Sequence, residues 1–477
     1  MYDSDQVEEQ PRRNRRLAGS DLLNSTNLIF AGCLIVILGG AAWYQWANSP
    51  DRKAKQRLEL ADTLAAEGKV REAAAAYREV ALSGTDHARP AADRLNGLIE
   101  GPVNDLPLAD AVKVFNDALD VQKRLANTFP QLYSLAIKRA QTGLDTDPRS
   151  ALTLVDAVAA QADDEKAHVT LRQKVLEKLV VKEPQDVDAA SELAVLYEKQ
   201  KRLDLCKKVL EPHLKRLEKR EGARILGHIL TQEGRVDEAH DLLAPYTEGR
   251  LAKLHQVEEA YQKALDELIQ SIRNGSAPGF PYAEFNAANE AQRVQIYSNY
   301  LTQRFKDNET LKKLRDDVQN EQPVVGAALD LGMVYLRRGQ KAADADTRKK
   351  ELQNAERMFL AIRQQAGETT EYQLFLGQVY YWLGRAREGR DLFDKILARD
   401  QRNPRTLVGL ARVLREVGAV SEARQLSEEA YHKETQAVAK ANAAGLRAVL
   451  FTDLDDEILW LERALAGGSP HTRALLA

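Results

Sequence analysis

Cysteine, methionine and aromatic residues are scarce in this chain of 477 residues. Its two cysteines, Cys33 and Cys206, lie far apart, which excludes a disulfide framework or a thiolate metal site. Lysine and arginine (68 residues) are balanced by aspartate and glutamate (71 residues), giving a formal charge of −3. Nucleic-acid binding normally shows a basic excess, so we expect no nucleic acid as a main partner.

Catalytic motifs are absent as well. The sequence has no phosphate-binding glycine loop, no nucleophile elbow and no H-E-x-x-H zinc motif. Four histidines follow one another at spacings of 15, 12 and 15 residues, which lack the i,i+4 pair that a helical metal site needs. They are His213, His228, His240 and His255. We expect no metal, no cofactor and no enzymatic activity; an unrecognised catalytic site in residues 250–322 is a remote alternative.

What the chain does contain is a surplus of helix-forming residues. Ala, Leu, Glu, Lys and Arg dominate, and runs of β-branched residues are few. A chain of this length exceeds what one compact core usually organises. Composition therefore predicts an all-α fold built as an elongated repeat array.

One long apolar stretch lies near the N-terminus. No charged residue occurs from Leu22 to Pro50, and Leu28 to Tyr44 is almost wholly apolar. Seventeen residues at about 1.5 Å each span about 26 Å, close to the thickness of a bilayer core. The pattern predicts a transmembrane helix over residues 27–47 behind a charged tail of residues 1–26.

Two alternatives to a membrane-spanning helix stay open for this stretch. A cleaved signal peptide would need a small-residue cleavage site, but bulky Trp43, Tyr44 and Trp46 follow Ala41 and Ala42. A lipoprotein signal would end at Cys33, but only a very short apolar run precedes its lipobox-like sequence 30–33.

A repeating pattern is clearest near the C-terminus. Gly384 and Gly418 are 34 residues apart, and each follows a large-small pair with a bulky residue three positions later. These are Leu376-Gly377-x-x-Tyr380 and Leu410-Ala411-x-x-Leu414; after the glycines come Phe393 with Ile396, and Ala423 with Ala430. The pattern resembles the tetratricopeptide repeat (TPR) family. The resemblance implies a right-handed α-solenoid of TPR-like helical hairpins, here behind a single N-terminal transmembrane helix.

The same template fits other parts of the chain with varying quality. Leu331, Gly332, Tyr335 and Gly339 begin a further unit, and an insertion over residues 340–354 extends that hairpin. The predicted domains are TPR-like repeats over 53–249, a non-repeat helical insertion over 250–322, C-terminal TPR repeats over 323–466 and a tail over 467–477.

The insertion has an apolar stripe of its own. Leu254, Val257, Tyr261, Leu265, Leu268 and Ile272 follow the three- and four-residue spacing of a long helix. We expect this stripe to pack against the solenoid; a coiled-coil dimer seam is the alternative.

The family resemblance also implies a binding surface. First helices of successive hairpins in TPR proteins line a concave groove that takes an extended peptide or a partner helix. Carried onto this chain, the groove has an aromatic and basic character suited to acidic segments. A solvated helix face is the alternative, and the family's carboxylate clamp is not present. The implied groove residues are Met333, Arg337, Gln378, Tyr381, Trp382, Arg405, Arg412 and Arg415.

These features together predict a membrane-anchored scaffold that binds other proteins or peptides. It is similar to bacterial single-span repeat proteins of the cell envelope. The arginine-rich tail favours an N-terminus in the cytoplasm and a solenoid outside the bacterial inner membrane. The alternative is a structural TPR protein that self-assembles into a homo-oligomer.

Overall fold

The computed structural model describes residues 49–451 and 453–468, without the side chains of residues 305 and 306. Within these residues, helices form all of the regular secondary structure. Contacts divide the chain into two compact units that meet between Lys182 and Glu183. Each unit is described separately.

The first unit contains seven α-helices in its described part, numbered in chain order. Tyr77 joins the first hairpin by donating a hydrogen bond from its hydroxyl to Asp62 Oδ1 at 2.7 Å. Gly68 ends α1 in the left-handed conformation (φ +75°), which only glycine adopts without strain. A continuous apolar core includes the fully buried Leu95 and Phe115. The helices are α1 (Pro50–Ala66), α2 (Val70–Ala81), α3 (Ala88–Glu100), α4 (Leu108–Arg124), α5 (Leu132–Gly143), α6 (Pro148–Ala157) and α7 (Glu165–Lys182).

The second unit consists of helical hairpins and one excursion from them. Its helices are α8 (Val187–Lys199), α9 (Leu203–Leu210), α10 (Glu221–Glu233), α11 (Val236–Thr247), α12 (Arg250–Arg273), α13 (Tyr282–Ala287), α14 (Glu290–Asp307), α15 (Glu309–Glu321), α16 (Pro323–Lys341), α17 (Ala345–Ala361), α18 (Arg363–Ala366), α19 (Thr370–Trp382), α20 (Ala386–Arg399), α21 (Pro404–Glu416), α22 (Val420–Lys433), α23 (Ala437–Ala448) and α24 (Leu454–Ala466).

The C-terminal repeats form the helical hairpins that the family resemblance implies. Gly384 and Gly418 both adopt left-handed conformations, at φ +79° and +81°, and end the first helix of their hairpins. A Cβ at Gly377 would lie 2.4 Å from Phe393, so the absence of a side chain there allows the two helices to approach closely. These hairpins are therefore TPR-like, and the part of the chain that the structure describes is all-α.

Gly339, the glycine of the preceding repeat unit, does not end a helix as Gly384 and Gly418 do. It lies inside α16, where an added Cβ would be 3.0 Å from Leu352, and so it is a packing glycine and not a turn glycine. The extra residues of this hairpin lengthen both of its helices, so the turn comes later, between Lys341 and Ala345.

We call helices α12 to α15 (residues 250–321) the arm. Helix α11 packs directly against α16, so the arm leaves the repeats and returns to them without interrupting their stacking. At its far end a small aromatic core surrounds Phe280, which contacts Tyr282, Phe285 and Tyr300 with ring centroids 4.8, 5.3 and 5.0 Å apart.

An ionic cluster holds the base of the arm. The Glu321 carboxylate, at the end of α15, accepts hydrogen bonds from Arg250 Nε at 3.0 Å and Lys253 Nζ at 2.5 Å, both near the start of α12. Arg250 also donates to Glu221 on α10 at 2.8 Å. Burial opposes ionisation of Glu321, but the hydrogen bonds from Lys253 and Arg250 outweigh it and hold the pKa below its usual range.

The predicted membrane localisation is corrected. Among residues 49–451 and 453–468, no helix combines the length and the apolar character that a bilayer crossing requires. Even α12, with 24 residues, carries charged side chains along its length. The proposed transmembrane helix of residues 27–47 lies outside the described residues, and a single-pass membrane protein is not supported.

Candidate peptide-binding groove

A groove runs between the first helices of the last two hairpins, α21 and α23. It encloses about 240 Å³. Two arginines of α21 border it, small residues from both helices line it, and the end of α22 closes one side. Its lining residues are Pro404, Arg405, Val408, Gly409, Arg412, Ala430, Glu434, Ala439, Asn442 and Ala443.

The amphipathic sequence of α21 determines which residues face this groove. Asn403 caps the helix by accepting a hydrogen bond from the Arg405 backbone N–H at 2.9 Å, and Pro404 occupies the first turn. The apolar face of α21 is buried in the core, through Leu407, Leu410, Ala411 and Leu414. Arg405, Gly409 and Arg412 recur every three to four residues on another face, which is exposed.

Small residues create the open space. A Cβ added at Gly409 would meet no other atom within 4 Å, and Ala439 and Ala443 on α23 present only methyl groups to the groove. Glycine inside a helix costs about 1 kcal/mol relative to alanine. The packing does not require a glycine at position 409, since the space around it is empty.

The arginines of α21 have no ion-pair partner. The side chains of Arg405, Arg412 and Arg415 form no hydrogen bond or ion pair with another described residue, whereas Arg385 and Arg402, just before and just after α20, both form ion pairs. Arg402, for example, binds Glu429 at 2.5 Å, and its hydrogen bond lowers the pKa of that carboxyl to about 2. Arg405 also lies at the helix N-terminus, where a cation is disfavoured by the helix dipole.

The carboxylate in the groove does not neutralise these arginines. Glu434 Oε1 instead accepts hydrogen bonds from the backbone N–H groups of Thr435 and Gln436, at 2.9 and 3.0 Å, in the turn between α22 and α23. The groove therefore presents two unpaired guanidinium groups above a floor of small side chains.

Two of the predicted groove residues belong to the core. Tyr381 is 9% exposed, stacks on Phe393 with ring centroids 5.5 Å apart and donates its hydroxyl hydrogen to Glu422 on α22. Gln378 is also buried, and its side-chain amide donates to the Leu374 carbonyl at 3.4 Å. Their assignment to an open surface is corrected, because α20 and α22 cover this side of α19.

The remaining predicted residues are dispersed. Arg337 donates to the Thr231 carbonyl of α10, so its guanidinium links two neighbouring hairpins, and Met333 is half-buried on the same helix. Trp382 is half-buried, with an indole N–H that finds no acceptor among the described residues. Only Arg405 and Arg412 are brought together in one groove; Arg415 lies on the same helix outside its lining.

Sequence reasoning missed the α23 side of this groove. Ala439 and Ala443 are four residues apart, and this i,i+4 spacing of small residues opposite Gly409 is the signal that could have identified it. The hairpin 437–466 has no turn glycine at the repeat position, which concealed its register.

Two larger clefts flank α12, with volumes of about 1110 and 850 Å³. Some of their lining groups are already hydrogen-bonded: Gln262 donates to Asp266 at 3.0 Å, and Glu258 accepts from Gln365 at 2.5 Å. His255 borders both clefts and contacts the Ala361 carbonyl at 2.7 Å. The linings carry charges of both signs, such as Glu259 and Lys263, and therefore indicate no single class of ligand.

The four histidines lie in separate environments. His213 is buried, His228 contacts Asp330 at 2.8 Å, and His240 meets the edge of the Tyr335 ring. No group of three His, Cys, Asp or Glu side chains within the described part of the chain could hold a metal ion.

Comparison with known proteins gives weak overall similarity. No family model and no curated protein matches the chain. Among solved structures, the human IFIT1 dimer with PPP-AAAA is 13% identical (TM-score 0.27; 89% of this chain and 88% of that chain covered). Naa15/Naa10 bound to HypK-THB is 16% identical (0.22; 92% and 74%), and the APC/C hetero-tetramer Cut9-Hcn1 is 12% identical (0.25; 94% and 92%). The TPR-like fold is shown by the hairpins of the chain itself and not by these similarities.

Proposed function

We propose that this protein is a non-enzymatic interaction scaffold and that the α21–α23 groove binds an acidic, extended peptide segment of a partner protein. The observation that carries the proposal is the pair of unpaired arginines, Arg405 and Arg412, bordering a groove floored by Gly409, Ala439 and Ala443.

The chemistry of the groove suits such a ligand. A guanidinium group presents a planar set of N–H donors that matches a carboxylate in two parallel hydrogen bonds. Arg405 and Arg412 lie seven residues apart, about 10.5 Å along the helix axis, which an extended peptide covers in about three residues. In the polyproline II form of an extended peptide, which has three residues per turn, acidic residues three positions apart lie on the same side and would meet both arginines.

The lack of an ion pair on either arginine among the described residues adds to the expected affinity. An arginine that already binds a carboxylate must give up that partner before it binds a ligand. Arg405 and Arg412 need give up only water. Association should also be faster at low salt, since the arginines are exposed and screening acts on them fully.

Binding of a labelled peptide tests the proposal. The probe is a fluorescein-labelled peptide of ten residues with aspartates three positions apart and alanine or serine between them, titrated with the full chain and followed by fluorescence anisotropy. Replacing Arg405 and Arg412 together by glutamine should weaken binding at least tenfold, corresponding to about 1.4 kcal/mol.

Arg415→Gln is the matched control, because this arginine lies on the same helix, is exposed and unpaired, but does not line the groove. If the double variant and the control lose peptide affinity equally, the effect comes from the overall charge of the helix. The groove would then not be the binding site.

A further inference from the structure

The last hairpin exposes a concentration of apolar side chains. Among the described residues, six of the ten exposed large apolar side chains lie between residues 438 and 465, and four lie in all the rest. The six are Val438, Val449, Leu454, Ile458, Leu459 and Leu465. A concentration of exposed apolar side chains is typical of an interaction surface, so this face has the character of an interface.

The 34-residue repeat identifies the residues of earlier hairpins that are equivalent to this exposed face. Helices α20, α22 and α24 begin at residues 386, 420 and 454, so Leu397, Tyr431 and Leu465 occupy equivalent positions. Leu397 is 2% exposed because it shares a core with Leu407 of the following helix α21, whereas Leu465 is 42% exposed.

The residue equivalent to Ile458 also contacts the following hairpin. Its equivalent in α22 is Arg424, which reaches the following hairpin by donating to the Leu450 carbonyl at 2.8 Å. Positions 458 and 465 thus belong to the surface on which a hairpin receives the next helix. Leu454, Ile458 and Leu465 form one stripe along α24, at spacings of four and seven residues.

The helix that fits this surface can be described from α21. It lies on the equivalent surface of α20 and buries Leu407, Leu410, Ala411 and Leu414, a spacing of i, i+3, i+4 and i+7. An occupant of the α24 stripe therefore needs an amphipathic helix with this spacing.

The charges beside the stripe determine the rest of the occupant's chemistry. Asp455 and Glu462, seven residues apart, follow one edge of the stripe, and neither side chain forms an ion pair with another described residue. Helix α24 carries four carboxylates and one arginine, Arg463. The Arg463 guanidinium lies 4.4 Å from the Trp460 ring, on the far side of the helix from the stripe. A basic helix complements this edge, whereas a second copy would bring the same carboxylates against each other.

We propose that the exposed face of α24 is a second interaction surface, which docks a basic amphipathic helix of a partner protein. This surface is separate from the α21–α23 groove and takes a ligand of the opposite charge.

A peptide of residues 403–417 is a suitable probe, because it carries the required apolar spacing together with Arg405, Arg412 and Arg415. Labelled at its N-terminus, it is titrated with the full chain by fluorescence anisotropy. The control peptide has serine at positions 407 and 410 and should bind at least tenfold more weakly. Ile458→Gln with Leu465→Gln in the full chain should weaken binding of the first peptide by a similar factor.

Three further variants make the result specific. Leu60→Gln removes an exposed leucine of the first unit and should leave binding unchanged. Glu462→Gln should weaken binding about threefold at low salt and less at high salt. The groove variant with Arg405→Gln and Arg412→Gln should have no effect, which separates this surface from the proposed groove. Circular dichroism checks that each variant is folded.

Three results would overturn the proposal. The first is binding that Ile458→Gln and Leu465→Gln do not change. The second is self-association of the chain, lost in this variant, with no binding of the peptide; the occupant would then be a second copy. The third is binding that appears only after residues 469–477 are removed, which would make the chain's own C-terminal segment the occupant.

Discussion

The arm and the repeats around it are stabilised by different chemistry. In the repeats, a glycine on one helix receives an aromatic ring from the next, as Gly377 receives Phe393 and Gly332 receives Phe359. At the base of the arm, Arg250 contacts carboxylates 29 positions before it and 71 positions after it in the chain, Glu221 and Glu321. Changes of volume should therefore act most strongly at these glycine contacts of the repeats, and changes of charge or pH at the base of the arm.

The largest expected effect comes from the repeats. Replacing Phe393, which is 3% exposed and stacked on Tyr381, by alanine leaves a cavity against Gly377. We expect the free energy of unfolding to fall by about 3–4 kcal/mol, measured by urea denaturation. Arg387→Ala, an exposed change on the same helix, should alter it by less than about 0.5 kcal/mol. Comparable losses in both variants would contradict the packing role of Phe393.

A smaller and local effect is expected at the arm. Glu321→Gln removes the carboxylate that Arg250 and Lys253 share and should cost about 2 kcal/mol of local stability. Hydrogen exchange should increase in residues 250–321 and remain unchanged in the helices from α19 onward. Glu267→Gln, an exposed change on α12, is the control.

The pH dependence of the wild-type arm follows from the same residue. The pKa of Glu321 is lower in the folded chain than in the unfolded chain, so its ion pairs contribute stability above the unfolded value. This contribution is lost as the pH falls through the folded pKa. Exchange in the arm should therefore increase in acid before exchange in the repeats does, and the Glu321→Gln variant should lack this difference.

A gain in stability is expected in the groove. Gly409→Ala places a methyl group where no atom lies within 4 Å and should stabilise the chain by about 0.5–1 kcal/mol, because alanine favours the helix. Gly409→Leu should also fold, but its side chain would fill the groove and abolish binding of the acidic peptide. A leucine variant that binds normally would place the ligand elsewhere.

The smallest effect concerns a contact between repeats with the opposite pH dependence to the arm. The hydrogen bond to Asp330 raises the pKa of His228, against the opposing effect of burial. This contact contributes stability below the unfolded pKa, near 6.5, and loses it as the pH rises through the folded value. His228→Gln should cost about 0.5 kcal/mol at pH 6 and nothing at pH 9, measured by thermal unfolding.

The parts that the sequence predicted well are those with a local signal. The turn conformations of Gly384 and Gly418 follow from a fixed spacing, and the contact of Gly377 with Phe393 follows from size complementarity within one hairpin. Tyr381 could not be placed in this way, because its burial depends on Gly389 and Glu422 of two following helices. Neighbouring residues of a helix point in different directions, so an error of one residue in the register exchanges a groove-facing position for a buried one.

No local sequence pattern predicts the ionic cluster of the arm. Arg250 and Glu321 are separated by 71 residues, and nothing in either flanking sequence indicates that they meet. The groove was only half predicted for a related reason: the arginines of α21 could be identified from the repeat register, but the α23 wall carries no turn glycine to fix its own.

The direct packing of α11 against α16 has a consequence for how this chain could be shortened. Because the arm leaves and returns at adjacent points, where Arg250 and Glu321 touch, its 72 residues from 250 to 321 close a loop on themselves. A turn of about four to six residues is the usual length of connection between neighbouring helices. Such a turn could replace the whole arm, giving a continuous set of hairpins in which the repeats can be studied without it.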